Sequence, residues 1–262
     1  MRRNPMRERW AAGEPALGGW LGIASSYTAE IVARCDLDYV CVDIQHGLLD
    51  YGDAWHMLQA INLGSGTPVV RVPWNEPGII GRSLDAGARG IVVPMVNTRA
   101  EAEAAVQYCR YAPEGSRSYA GTRVVRQEGA DYFANANTDV AVIPMVETAQ
   151  AVSNLDDILS VPGVDAIYVG PSDLSVTLGL KPGNNDGEPA FDAAVAQILE
   201  GCARHNVIAG CHTVSELTQR RIEQGFRMVT VTSDTVALAR ALDDELRRAR
   251  GEEPVIRSSS MY

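Results

Sequence analysis

Five charged residues stand where short apolar runs of this sequence stop. Asp43 and His46 follow DYVCV, Arg71 sits inside PVVRV, Glu147 follows VAVIPMV and Asp173 follows DAIYVGPS. A charge at the end of an apolar segment carries a desolvation cost unless it is paired or bound to a metal. Two carboxylates, Glu147 and Asp173, that leave room for water and substrate oxygens make a site for a hard, octahedral cation. An arginine inside an apolar run needs an anionic partner, and an aspartate beside a histidine is suited to moving protons. Each group also has a purely structural reading. Glu147 suits the first turn of a helix, where the dipole favours negative charge; Asp173 suits a cap, and Asp43 with His46 an ordinary hydrogen bond. His56, His205 and His212 read as helix-face or loop histidines. The sequence has no HxH or HExxH spacing, which disfavours zinc.

The elements that must position these groups alternate along the chain. Val- and Ile-rich strand segments are expected at 18–24, 38–44, 67–72, 89–94, 140–146, 165–169, 206–210 and 227–231, short and apolar as strands buried on both faces are. Amphipathic helical segments lie at 28–35, 52–63, 75–87, 98–109, 148–160, 190–205, 214–224 and 234–249. Strict alternation predicts a parallel sheet with right-handed crossovers. Eight repeats without a GxGxxG turn after the first strand favour a closed (β/α)8 TIM barrel over an open dinucleotide-binding sheet. One barrel domain is expected over 18–250, with an N-terminal extension at 1–17 and a tail at 251–262. Residues 111–139 and 179–189 break the rhythm, the first with poor periodicity and the second as a Pro/Gly/Asn-rich loop. In such a barrel the chemistry sits at the C-terminal strand ends, where the five charged residues fall.

Composition narrows the partners. The 262 residues carry a net charge of −10, and an acidic surface repels nucleic acid and anionic lipid. No apolar run reaches the length of a membrane span, and MRRNPMRERW lacks the apolar core of a secretory signal. Five cysteines without paired spacing read as free thiols, so a cytoplasmic setting is expected. Of the 23 basic residues only Lys181 is a lysine, and it falls in the irregular loop. A Schiff-base mechanism needs a desolvated lysine, so that route and any nucleotide cofactor are not expected.

Four segments carry a resemblance that spans nearly the whole chain: VDIQHG (42–47), PVVRVPWNEP (68–77), PMVETAQAV (144–152) and VDAIYVGPSDLS (164–175). DAGARGIVVPMV (85–96) and WLGIASSY (20–27) add to it. Together they resemble the HpcH/HpaI aldolase/citrate lyase family, metal-dependent class II pyruvate aldolases with a barrel of the phosphoenolpyruvate/pyruvate type. The resemblance implies that Glu147 and Asp173 hold Mg²⁺, Mn²⁺ or Co²⁺ and that Arg71 binds the pyruvyl unit. His46, oriented by Asp43, would organise acid–base chemistry through a metal-bound water, and Asp85 would support the histidine of a neighbouring subunit. Gly170, Pro171, Ser172, Gln45 and Trp20 would line the substrate site, with amides near Ser172 and Asp173 on the pyruvate carboxylate. It also implies a homo-oligomer, a hexamer built as a trimer of dimers that exchange the last helix. Gln45 departs from the glutamate often found before the histidine and removes a negative charge there.

The expected reaction is reversible cleavage of a 4-hydroxy-2-oxo acid to pyruvate and an aldehyde through a metal-stabilised enolate. Three alternatives stay open: a coenzyme A thioester lyase of the citrate-lyase type, a sugar-phosphate enzyme, and a barrel that binds without catalysis. The turns AGCHTVSE and TVTSDTVAL lack the glycine-rich phosphate grip the second would need. Arg117, Arg123 and Arg126 are candidates to meet a distal substrate carboxylate, or are solvated surface groups.

Overall fold

The Val- and Ile-rich segments form eight parallel strands: β1 (Ala16–Leu21), β2 (Tyr39–Asp43), β3 (Thr67–Arg71), β4 (Gly90–Val93), β5 (Ala141–Pro144), β6 (Ala166–Val169), β7 (Ile208–Cys211) and β8 (Met228–Ser233). The structure is a computed structural model and describes residues 4–252; most of the tail expected at 251–262 lies outside them. Thirteen helices alternate with the strands among these residues. They are α1 (Pro5–Ala11), α2 (Ser26–Ala33), α3 (Tyr51–Ile61), α4 (Pro77–Asp85), α5 (Arg99–Cys109), α6 (Thr122–Glu128), α7 (Tyr132–Asp139), α8 (Ala149–Ser153), α9 (Leu155–Leu159), α10 (Pro171–Thr177), α11 (Pro189–His205), α12 (Ser215–Gln224) and α13 (Asp234–Arg250).

The sheet runs β5-β4-β3-β2-β1-β8-β7-β6. Its two edges meet through Asp165 N to Val142 O (3.1 Å), Val146 N to Tyr168 O (3.0 Å) and a bridge between Met145 and Tyr168. The result is the (β/α)8 barrel the alternation predicts, with one thinly bonded seam between β5 and β6.

Successive side chains of a strand point to opposite faces, and here the alternation sorts the core into two layers. Val40, Val42, Val70, Ile91, Val142, Ile167 and Val229 face the helices. Tyr39, Cys41, Val69, Val92, Ile143, Tyr168 and Met228 fill the interior. Gly18 makes room for one of them, because a Cβ there would lie 2.2 Å from the Tyr39 ring.

The N-terminal mouth is closed. Met6 and Trp10 of α1 are buried in the interior cluster. Asn4 and Thr67 hold them there: Met6 N donates to Thr67 Oγ1 (3.2 Å), and Thr67 Oγ1 donates to Asn4 Oδ1 (2.8 Å).

Residues 111–139, irregular in sequence, contain α6 and α7. Each is eight residues or fewer and lacks a side-chain N-cap, and Gly129 at φ 96° separates them. Helices this short leave little periodic signal. The stretch 179–189 is a loop for nearly all its length, pinned by Arg221 to Asn184 and Asp186. Among the described residues no helix is long and apolar enough to cross a membrane.

Candidate active site

The two-residue period that fills the barrel with apolar side chains continues past the ladder and turns polar at its open end. On β3 the inward series is Thr67, Val69, Arg71; on β5 it is Ala141, Ile143, Met145, Glu147; on β7 it is Ile208, Gly210, His212. The inward ends, with Trp20 of β1, Tyr168 of β6 and the turn Gly170–Asp173, line a small cleft that opens to solvent. His46 reaches it from the loop after β2 and Met145 forms part of its floor. A wider but shallow depression, lined by Glu8, Arg9, Glu14, Asp36 and Asp38, lies before β1 and β2 at the opposite mouth. It is a surface of paired charges, with Arg9 bonded to Glu14 and Asp38.

Asp43 and Arg71 form a two-pronged pair, Nε to Oδ1 at 2.9 Å and Nη2 to Oδ2 at 2.6 Å. Burial alone would push the Asp43 carboxyl up. Arg71 and the backbone amides of Gln45 and His46 more than reverse this and hold it below the usual carboxylate range. The same pairing raises the Arg71 guanidinium against its own burial. The guanidinium stacks on Trp20, 4.6 Å from the ring centre, and its Nη1 has no hydrogen-bond partner among the described residues. A permanently charged, oriented donor is therefore available at the cleft.

Glu147 is 1% exposed. One oxygen accepts from the Met95 amide (2.8 Å), and Met95 adopts φ 56°, a left-handed conformation uncommon for its type. The other oxygen lies against Gly170, where a Cβ would come within 2.3 Å of it. Burial, and then the nearby negative charge of Asp173, push the Glu147 carboxyl up to about 7 despite the Met95 N–H and Arg71. Asp173, in the first turn of α10, is exposed at the rim. Two neighbouring carboxylates, one of them strained by desolvation, form an all-oxygen donor pair that a hard cation would relieve. Among the described residues no cluster of three His, Cys, Asp or Glu side chains could hold a metal. The pair, all oxygen and only two groups, fits a hard ion that completes its coordination with water and substrate oxygens.

Trp20 Nε1, Gln45 Oε1 and Ser172 Oγ are buried without hydrogen-bond partners. Buried polar atoms are paired in most proteins, and unsatisfied ones at a cleft are what a polar ligand would complete.

Comparisons with known proteins establish the family. The HpcH/HpaI aldolase/citrate lyase family model matches residues 17–241. That is most of the barrel. The chain belongs to the HpcH/HpaI aldolase/citrate lyase family. It is 39% identical over 248 residues to the hydroxypyruvate/pyruvate aldolase of Rhizorhabdus wittichii, a match covering 94% of this chain and 99% of the relative. It is 35% identical to the 4-hydroxy-2-oxo-heptane-1,7-dioate aldolase of Salmonella arizonae, over 99% of this chain and 100% of that one. A solved HpcH/HpaI family protein from Burkholderia cenocepacia superimposes with a TM-score of 0.87 at 33% identity, covering 95% of this chain and all of that one.

Within this family member the residues singled out in the sequence come together unevenly. Trp20, His46, Arg71, Glu147, Gly170, Pro171, Ser172 and Asp173 line one cleft, and Asp43 stands behind it. Asp43 fixes the His46 main chain and Arg71; no hydrogen bond joins it to the imidazole among the described residues. Gln45 lies beside the site without lining it. Asp85 is not part of the cleft of its own chain. It ends α4 and accepts from Arg117 Nη2 (2.8 Å). Arg117 is itself buried against Tyr111 and Tyr132, and Arg123 bonds the Ala86 carbonyl, so neither reaches this cleft. Sequence reasoning missed Met145 and Tyr168, and it set His212 aside as a helix-face or loop histidine. The strand segment expected at 206–210 stops short of it, whereas His212 N continues the ladder to Val169 O (3.0 Å). Counting by twos from Ile208 would have found it.

Proposed function

We propose that this chain is a divalent-cation-dependent aldolase that cleaves 4-hydroxy-2-oxo acids to pyruvate and an aldehyde, and catalyses the reverse addition. The observation that carries this reading is the convergence of Glu147, Asp173, Arg71 and His46 on one cleft of a barrel in an aldolase family. The thioester-lyase alternative has less support, because the relatives named above are aldolases.

Glu147 and Asp173 would hold the cation, which supplies positive charge next to the oxygens of the 2-oxo acid. The rest falls to the protein's own groups. His46 accepts the proton of the substrate 4-hydroxyl, the C3–C4 bond breaks, and C4 leaves as the aldehyde carbon. The electron pair moves through C3 onto the C2 oxygen, giving the enolate of a three-carbon acid whose charge faces Arg71 Nη1. One proton then returns to C3, so none is consumed overall. The amides of Ser172 and Asp173, at the start of α10, are donors for the substrate carboxylate. Asp43 keeps Arg71 and the His46 loop in place. Lys181, the single lysine, is exposed on a loop and does not line the cleft, which supports a mechanism without an imine.

The chain works as a homo-oligomer in this reading. Only Asp234 of the seventeen residues of α13 is buried, while Leu238, Leu242 and Leu246 repeat at helical spacing and are 54%, 62% and 47% exposed. An apolar stripe of this kind calls for a second copy, and Asp85 would act across such an interface. A sedimenting species of one 28.2 kDa chain would overturn this. Four buried free thiols are in keeping with a reducing cytoplasm.

The direct test is exchange of the pyruvate methyl protons in heavy water, followed by NMR with Mg²⁺, Mn²⁺ or Co²⁺ and again with chelator. Cation-dependent exchange is expected, since enolate formation needs no aldehyde. Folded protein that exchanges nothing with any of the three ions would remove pyruvate as the donor.

A further inference from the structure

His212 has no part in the chemistry just described, yet it lines the cleft. It ends the inward series of β7, and its ring meets the Trp20 indole edge-on, 5.0 Å between centroids at 84°. No hydrogen bond to either ring nitrogen is formed among the described residues, and the neighbouring indole Nε1 is likewise unpartnered and buried. Burial, and then the positive charge of Arg71, push the imidazole down to about 4. At neutral pH it is therefore uncharged, with one N–H to donate and one bare nitrogen to accept.

That combination has a chemical preference. A carboxylate is served better by Arg71, and an ammonium would be repelled by it. A hydroxyl both donates and accepts, and it matches a neutral imidazole beside an indole N–H. We infer that His212, with Trp20 Nε1, is a specificity-determining pair that selects substrates bearing a hydroxyl on the carbon next to the reacting carbonyl. The hydroxyl has two sources in an aldol reaction: the 2-oxo acid, as in hydroxypyruvate, or the aldehyde, as in glycolaldehyde. The inference rests on the aldolase reading and deepens it. A site built to hydrogen-bond a hydroxyl discriminates strongly against the analogue that lacks it, whereas an apolar wall barely does.

The test compares kcat/KM for hydroxylated and plain partners on the cation-loaded enzyme. One arm sets hydroxypyruvate against pyruvate with acetaldehyde as acceptor; the other sets glycolaldehyde against acetaldehyde with pyruvate as donor. Reading a ratio cancels any general loss of activity. In the arm that carries the effect, His212→Leu should lower the ratio about tenfold, equivalent to about 1.4 kcal/mol. His212→Gln, which keeps a donor and an acceptor, should retain most of the wild-type ratio. His212→Phe serves as a second apolar replacement in case the leucine variant does not fold. Ratios that stay put in both arms, or a glutamine variant no better than the apolar ones, would overturn the inference. Methyl-proton exchange by the wild type separates the two possible failures. Exchange with unmoved ratios removes the role of His212 alone; no exchange removes the aldolase reading and this role with it.

Discussion

The two mouths of the barrel are built from similar residues and treat them in opposite ways. At the N-terminal mouth charges are matched. Asp165 accepts from Arg7 (2.8 Å) and Arg110 (3.1 Å) and from the Val142 amide, and Arg89 pairs with Asp139. Arg110 also caps the carbonyls of Val140 and Gly163. At the C-terminal mouth Glu147 is buried next to a like charge, Met95 takes a left-handed backbone, and Trp20, Gln45 and Ser172 have buried polar atoms without partners. The first arrangement stabilises the protein as it stands. The second is incomplete without a ligand, and such incompleteness is how a fold stores binding capacity.

The widest separation between the two mouths should come from removing charge at each. Glu147→Gln and Asp173→Asn are expected to lower kcat by about a hundredfold or more, the scale of losing an electrostatic stabiliser, without lowering the melting temperature. Arg110→Ala should do the reverse. Leaving Asp165 short of a partner costs up to about 3–5 kcal/mol, read as a lower melting temperature, with kcat of the folded enzyme within about twofold. Full activity in either carboxylate variant would break the contrast.

A single methyl group sharpens it. Gly170→Ala places a Cβ where a Glu147 oxygen now lies, 2.3 Å away. The carboxylate must move, and turnover should fall at least about tenfold, as misplaced catalytic groups commonly do. Cation titrations should show weaker binding in the same variant. Unchanged cation affinity would mean that the contact between Gly170 and Glu147 does not set the donor geometry.

The smallest effect is in pH. Burial and Asp173 raise the Glu147 carboxyl from 4.5 to about 7. A group raised by folding favours the folded state most below its unfolded value, and that contribution fades as pH climbs through the folded one. Cation-free protein should therefore lose stability between about pH 4.5 and 7, by up to roughly 3 kcal/mol for a shift of this size. Glu147→Gln should flatten that portion of the profile. Cation binding competes with the same proton, so affinity should weaken as pH falls through about 7. Parallel profiles for wild type and Glu147→Gln would show that the carboxyl is not perturbed by its surroundings.

Much of this was legible in the residue order because strands count by twos. Arg71 and Glu147 declare themselves as charges at positions where the same strand had been placing Val, Ile or Met. The eight alternations fixed the barrel for the same reason. What escaped depended on distance along the chain. Nothing near Asp85 indicates that Arg117, 32 residues later, will occupy it. His212 was set aside as a helix-face or loop histidine although it continues the inward count of β7, and the two helices of 111–139 are too short to show a period. Asp43 was expected beside His46 and does hold that residue's backbone amide, but its pairing with Arg71, set by the neighbouring register of β2 and β3, was not foreseen.

The seam between β5 and β6 has one more consequence. A cylinder whose β5 and β6 edges meet through a single bridge and a few hydrogen bonds has a line along which it can open, and Glu147 and Asp173 stand on its two lips. An ion gripped by both would then be a clasp as well as a reagent. Its occupancy would set how often the lips part, and so how quickly deuterium reaches the Val146 amide that bonds across the gap. Chemistry and mechanical closure would share one bolt.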